Sequence, residues 1–164
     1  MGIQGYDKFF LHDVMDNLGF ATDFAVNGCG IAPDSFYDFF IISKVARQIE
    51  TNSPVFICGC SGTELALTVF ERVGFDAVIP DMPFGFERFN RTPEYWAGWI
   101  TAFYQWKRGL SFSRIRDFVP FHDIINMYYP LHEAPEEKFL GVMDEIIKKK
   151  ERSAVSYSAR RRTS

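Results

Sequence analysis

The stretch Thr92-Pro-Glu-Tyr-Trp-Ala-Gly-Trp-Ile-Thr-Ala-Phe-Tyr-Gln-Trp-Lys-Arg-Gly109 decides the fold class. Thr92 is a good N-cap, Pro93 suits a first helical position and Gly109 suits the left-handed stop, so the spacing predicts one helix over 94–108. Tyr95, Trp99, Ala102, Phe103 and Trp106 form one face of it, and Trp96, Ile100 and Tyr104 a second. Only Ala97, Thr101, Gln105 and Arg108 are left as a narrow small or polar stripe. A helix apolar nearly all round belongs at the centre of a bundle.

Toward the C-terminus the pattern stays helical. Ser111 caps a short segment through Phe112, Ile115 and Phe118 that Pro120 stops, and Phe121, Ile124, Ile125, Tyr128 and Tyr129 form another that Pro130 ends. Pro135 opens a last helix carrying Phe139, Val142, Met143, Ile146 and Ile147, with Lys148 to Lys150 toward its negative end. Toward the N-terminus, Ser61 and Glu64 fit a capping box ahead of Leu65, Val69 and Val73, and Gly74 ends that helix. Residues 75–91 read as a long connection whose Phe84, Phe86 and Phe89 pack onto the body. Val55 to Cys58 is short, apolar and β-branched, which suggests an extended segment. Further helices are expected from Pro33 to Ile49 and from Tyr6 to Asn27, the latter bending at Gly19. The expectation is an all-α compact bundle of about six or seven helices with one short extended segment near 54–59. Residues 1–151 form a single domain, and 152–164 a basic, disordered tail.

Composition narrows the classes. With 164 residues, 47% of them hydrophobic, and 18 Phe, 7 Tyr and 3 Trp, the core is expected to be rich in rings. Residues 144–164 carry 7 Lys/Arg against 3 Asp/Glu, leaving 11 against 18 for the rest. An acidic body disfavours a general duplex-binding surface, so nucleic acid is expected to meet only the basic tail. No run of about 20 apolar residues exists to span a membrane, and Met1 to Asp13 lacks the layout of a secretory signal. A cytoplasmic setting with Cys29, Cys58 and Cys60 reduced is the expectation.

The second half resembles a family of short, uncharacterised bacterial proteins. The likeness lies in Pro93 to Trp99, Tyr104-Gln105-Trp106, Val119-Pro120, His132-Glu133-Ala134, Lys138-Phe139 and Val142-Met143-Asp144, and extends more weakly through Ala25 to Gly30 and Gly59 to Ala66. The resemblance implies membership of small toxin–antitoxin or defence-type gene cassettes. It brings no catalytic residue and no cofactor.

Three candidate sites come from the residues themselves. Cys58-Gly-Cys-Ser-Gly62 opens a helix, where free amides can hold an anion or expose Cys60 or Ser61 as a nucleophile, with His122 or His132 as base. It fits neither GxSxG nor GxxxxGK[ST], and a capped helix start explains it as well. Trp96, Trp99, Tyr104, Trp106, His132 and Glu133 are the candidate binding residues, although a ring stripe on a helix is more often core. The acidic residues Asp7, Asp13, Asp16, Asp23, Asp34 and Asp38 form either a soluble surface or a patch for a basic partner. Metal is not expected, because CxC without a second pair lacks the common zinc spacing. The leading expectation is a non-catalytic binding module for a protein encoded nearby, an antitoxin or accessory subunit. The alternative is a small hydrolase or transferase acting at the Cys58–Gly62 turn.

Overall fold

The computed structural model describes residues 5–81 and 91–162. The stretch containing Phe84, Phe86 and Phe89 therefore lies outside the described residues. Within them the chain is all-helical, with no strand. After a 3₁₀ turn at Lys8–Phe10 come α1 (Leu11–Asp23), a π turn at Phe24–Gly28, α2 (Pro33–Ile42), α3 (Val45–Glu50), α4 (Pro54–Ile57) and α5 (Gly62–Val73). Then follow α6 (Pro93–Arg108), α7 (Phe112–Phe118), α8 (Phe121–Asn126), α9 (Tyr128–Leu131) and α10 (Glu136–Arg162).

The central helix is α6, as its ring content requires. Thr92 caps it by accepting from the Tyr95 amide at 3.0 Å, and Gly109 ends it at φ 62. The stripe of Thr101 and Gln105 is as buried as the ring faces, so α6 is enclosed on every side except its charged end. Its main partner is α1. Thr92 meets Asp23, Gly98 meets Leu18 and Trp106 meets Tyr6, so the two helices run antiparallel.

That pairing is close because of glycine. A Cβ on Gly98 would lie 2.5 Å from the Leu18 carbonyl oxygen and 2.5 Å from Thr22 Oγ1. On Gly19 it would stand 2.7 Å from the Tyr95 ring, and on Gly62, at the start of α5, 2.4 Å from Phe20 Cβ. Gly19 thus admits Tyr95 rather than bending the helix. The first helix ends earlier than its periodicity suggested, loosening into the π turn at Phe24.

One further expectation is corrected. The short segment near 54–59 is helical at Pro54–Ile57, with no strand beside it among the described residues. Pro54 takes the first helical position, and Phe56 and Ile57 bury while their amides bond the Ser53 carbonyl. At the C-terminal end α10 runs on to Arg162, a helix nucleated on the body that extends residue by residue at little cost.

Among the described residues the helix count rises to ten, because two expected helices break and Pro54–Ile57 adds one more. Lys44 adopts φ 70 between α2 and α3, where Ser43 Oγ accepts from the Val45 amide at 3.3 Å and donates to Phe40 O at 2.9 Å. The second break falls at Met127, between α8 and α9. One connected apolar core runs from Tyr6 to Ile147, crossed by ring contacts such as Tyr37 stacked on Phe121 at 4.8 Å. Among the described residues no helix is long and apolar enough to cross a membrane.

Replacing Gly98 by Ala should destabilise the fold by about 1–3 kcal/mol, since the clash is with backbone and cannot be relieved by rotating a side chain. Urea unfolding checks it; a midpoint unchanged from the parent would mean the helices can separate without cost.

Candidate functional site

A cleft of about 370 Å³ opens where α6, α9 and the start of α10 meet. Its walls are rings: Tyr95, Trp96 and Trp99 from α6, Tyr128 from α9 and Phe139 from α10. Trp96 stands edge-on to Tyr128 at 5.9 Å and to Phe139 at 5.6 Å, which fixes the back wall. Its polar groups are Asp16, Arg91, His132 and Glu136.

Asp16, Arg91 and His132 are each held in place. The Tyr95 hydroxyl donates to Asp16 at 2.6 Å, and burial followed by that hydrogen bond pushes the phenol well above its ordinary range. The Arg91 guanidinium lies 4.3 Å over the Tyr95 ring and 4.8 Å over Phe20. His132 stacks on Tyr128 at 4.1 Å, and its Nδ1 meets the Tyr128 carbonyl at 2.8 Å. A carbonyl only accepts, so Nδ1 is the donor in this contact. Tyr129, 81% exposed, extends the ring cluster to the rim at 5.3 Å from Tyr128.

The candidate binding residues divide here. Trp96 and Trp99 line the cleft, His132 forms part of its wall and Glu133 stands exposed beside it, 3.7 Å from His132 Nε2. Tyr104 and Trp106 are core residues. The Tyr104 hydroxyl donates to Asp144 at 2.9 Å, and Trp106 Nε1 donates to Tyr6 O at 3.0 Å. Arg91, Tyr95, Tyr128 and Glu136 are not among the residues that the sequence marks as a site, and Asp16 enters there only as part of the acidic set. The Tyr128-Tyr129 pair beside Pro130 and His132 was a usable signal, whereas nothing local marks Asp16 as a neighbour of Tyr95.

The Cys58–Gly62 turn is occupied with capping. Ser61 Oγ accepts from the Glu64 amide at 3.2 Å, and Glu64 Oε2 accepts from the Ser61 amide at 2.7 Å. The chain's own carboxylate thus sits where an anion would bind. The Cys60 carbonyl accepts from Asn17 Nδ2 at 3.0 Å, and burial, then Glu64, raises the Cys60 thiol pKa, which disfavours the thiolate.

His122 is engaged elsewhere. Its ring Nδ1 bonds Asp34, its amide donates to Asp34 Oδ1 at 3.1 Å, and Nε2 lies 3.2 Å from Asp123. Among the described residues no hydrogen bond or ion pair joins Cys60 or Ser61 to His122 or His132. The three cysteines are free, and no group of three or more metal-ligating side chains occurs among the described residues.

The acidic residues of the first helices are spent on tertiary contacts more than on one patch. Asp34 pairs with His122, Asp38 with Arg116 at 2.9 Å, Asp16 with Tyr95 and Asp23 with Thr92 at 2.7 Å. Compared with family models, curated proteins and solved structures, the chain matches none.

The Asp34–His122 pair makes stability depend on pH. Hydrogen bonding to Asp34 raises the His122 pKa above 6.5, so its contribution is complete below that value and is lost as pH rises through the raised one. Partial burial would raise the Asp34 pKa, but its bonds with His122 outweigh that and lower it, so its share is lost as pH falls through the lowered value. His122→Gln should therefore lower Tm most between about pH 4 and 6.5 and least at high pH. Thermal melts of both proteins across pH check this, and a Tm difference flat with pH would contradict it.

Proposed function

We propose that this chain is a non-catalytic, helical protein-binding module that grips its partner at the cleft between α6, α9 and α10. The composition of the cleft carries this reading: Trp99, Tyr95, Tyr128 and Arg91 line one concavity, with Tyr129 on its rim. Trp, Tyr and Arg are the side chains that dominate binding hot spots, because they desolvate large areas and still offer a polar atom. Arg91 is held flat on two rings, so little side-chain entropy is lost when a partner engages it. With Asp16 and Glu136 alongside Arg91, the cleft suits a polypeptide segment bearing apolar and mixed polar groups better than a uniformly charged polymer.

The finer assignment rests on the family resemblance. It makes the chain an antitoxin or accessory subunit that neutralises a protein encoded beside it. The capped Cys58–Gly62 turn and the His122–Asp34 pair favour binding over catalysis, since both are committed to holding helices together.

The test is co-purification from the native host with the tagged full-length chain. A stoichiometric neighbour-encoded partner is expected, and Trp99→Ala, Arg91→Ala and Tyr129→Ala should each weaken it at least tenfold with unchanged circular dichroism, about 1.4 kcal/mol or more. A partner held equally well by all three variants would place the contact elsewhere.

A further inference from the structure

The outer face of α10 is exposed. Its inner face, with Phe139, Leu140, Met143 and Ile147, packs on the body, and every residue from Lys148 to Arg162 is exposed. The helix is 27 residues long, about 40 Å, so its last part stands clear of the bundle. That part includes Ser153, Val155, Ser156, Tyr157 and Ser158, weak helix formers that gain little from propensity. Val155 and Tyr157 are 70% and 58% exposed there.

Charge along this helix is sorted. From Glu133 to Glu145 there are five acidic residues and one basic, and from Lys148 to Arg162 seven basic and one acidic. The helix dipole accounts for charge in the first and last turns, but its effect fades before Glu145 and Lys148 in the middle. Gly141 lies on the same outer face with nothing within 4 Å of an added Cβ. A helix-interior glycine without internal purpose weakens the helix relative to alanine, and its usual return is the close approach of another chain.

We propose that two copies of this chain pair antiparallel through the outer faces of α10, about a two-fold axis passing between Ile146 and Ile147. Residues equidistant from the axis then face each other. Glu145 of each copy meets Lys148 of the other, Gly141 meets Arg152, and Lys138 meets Val155. Glu145 and Lys148 also lie 3.8 Å apart within one helix, so the axis gathers four alternating charges. Acidic half meets basic half twice, which makes the contact self-complementary and closed at two copies. The rest of the chain is acidic, so a second copy supplies further countercharge to the basic end.

The outer face of α10 is distinct from the cleft, so this proposal and the cleft reading fail separately: Trp99→Ala should leave the pairing unchanged. Sedimentation velocity of the full chain tests it. The expected result is a concentration-dependent dimer whose Kd rises at least about tenfold from low salt to ~0.5 M NaCl. Lys148→Glu should give monomer, and Lys148→Glu combined with Glu145→Lys should restore the dimer, because the swap keeps opposite charges facing across the axis.

Gly141→Leu should also give monomer while Tm holds or rises, since the added side chain meets nothing in its own molecule. A chain that stays monomeric at low salt, or a dimer indifferent to Gly141→Leu and to the charge reversal, overturns the proposal. So does a low-salt monomer that binds a duplex oligonucleotide through its basic end.

Discussion

The backbone-to-backbone approach of α1 and α6 is the constraint on which the rest of the molecule depends. Gly98 sits against the Leu18 carbonyl, Gly19 makes room for the Tyr95 ring and Gly62 brings the start of α5 onto Phe20 and Asn17. Two elements distant in sequence, α5 and α6, converge on one stretch of α1. Because α6 is apolar on nearly all sides, α8, α9 and α10 can then close around its remaining faces. Enlarging any of these glycines would push apart the layers that bury Trp96, Tyr104 and Phe139.

Polar groups follow the same economy. Asp23, buried between helices, accepts from Thr92 at the head of α6 and from Asn27 at 2.7 Å, while Glu50 accepts the Phe112 amide at 2.8 Å. Asp34 accepts an amide in the first turn of α8. Side-chain carboxylates thus satisfy helix starts that would otherwise leave donors unpaired in a tight bundle. Residues that resemble catalytic components in isolation, Ser61 with Glu64 and His122 with Asp34, belong to this same set of helix-fixing contacts.

Two surfaces fall outside that scheme. In the cleft, rings from three helices and the charges of Asp16 and Arg91 line an open concavity among the described residues. On α10, the helix outlasts the body it packs on; its links to the bundle include Lys150 with the Phe118 carbonyl and Arg114 with Glu151 at 3.9 Å. Buried Ile147 lies between acidic Glu145 and basic Lys148, so the change in charge and the departure from the core occur together.

Much of the helical inventory was legible from local chemistry. Thr92, Pro93 and Gly109 bound α6, and the Ser61–Glu64 box opens α5, because caps depend on residues within one turn of each other. Short-range reading failed at Lys44 and Met127, where breaks reflect how neighbouring helices dock, and at Pro54–Ile57, where β-branched residues had no strand to join.

Half of the site was readable, since Trp96, Trp99 and His132 are conspicuous in the sequence, but Tyr104 and Trp106 looked the same and proved to be core. The helical class, the central place of α6 and the acidic body with its basic end were determined by the sequence alone, through periodicity, capping and charge. Which rings face the cleft, that Asp16 meets Tyr95 across 79 positions, and that Glu64 fills its own helix start were decided only by tertiary structure. Side-chain periodicity defines faces of a helix, and only the glycine-permitted packing of α1 on α6 determines what each face meets.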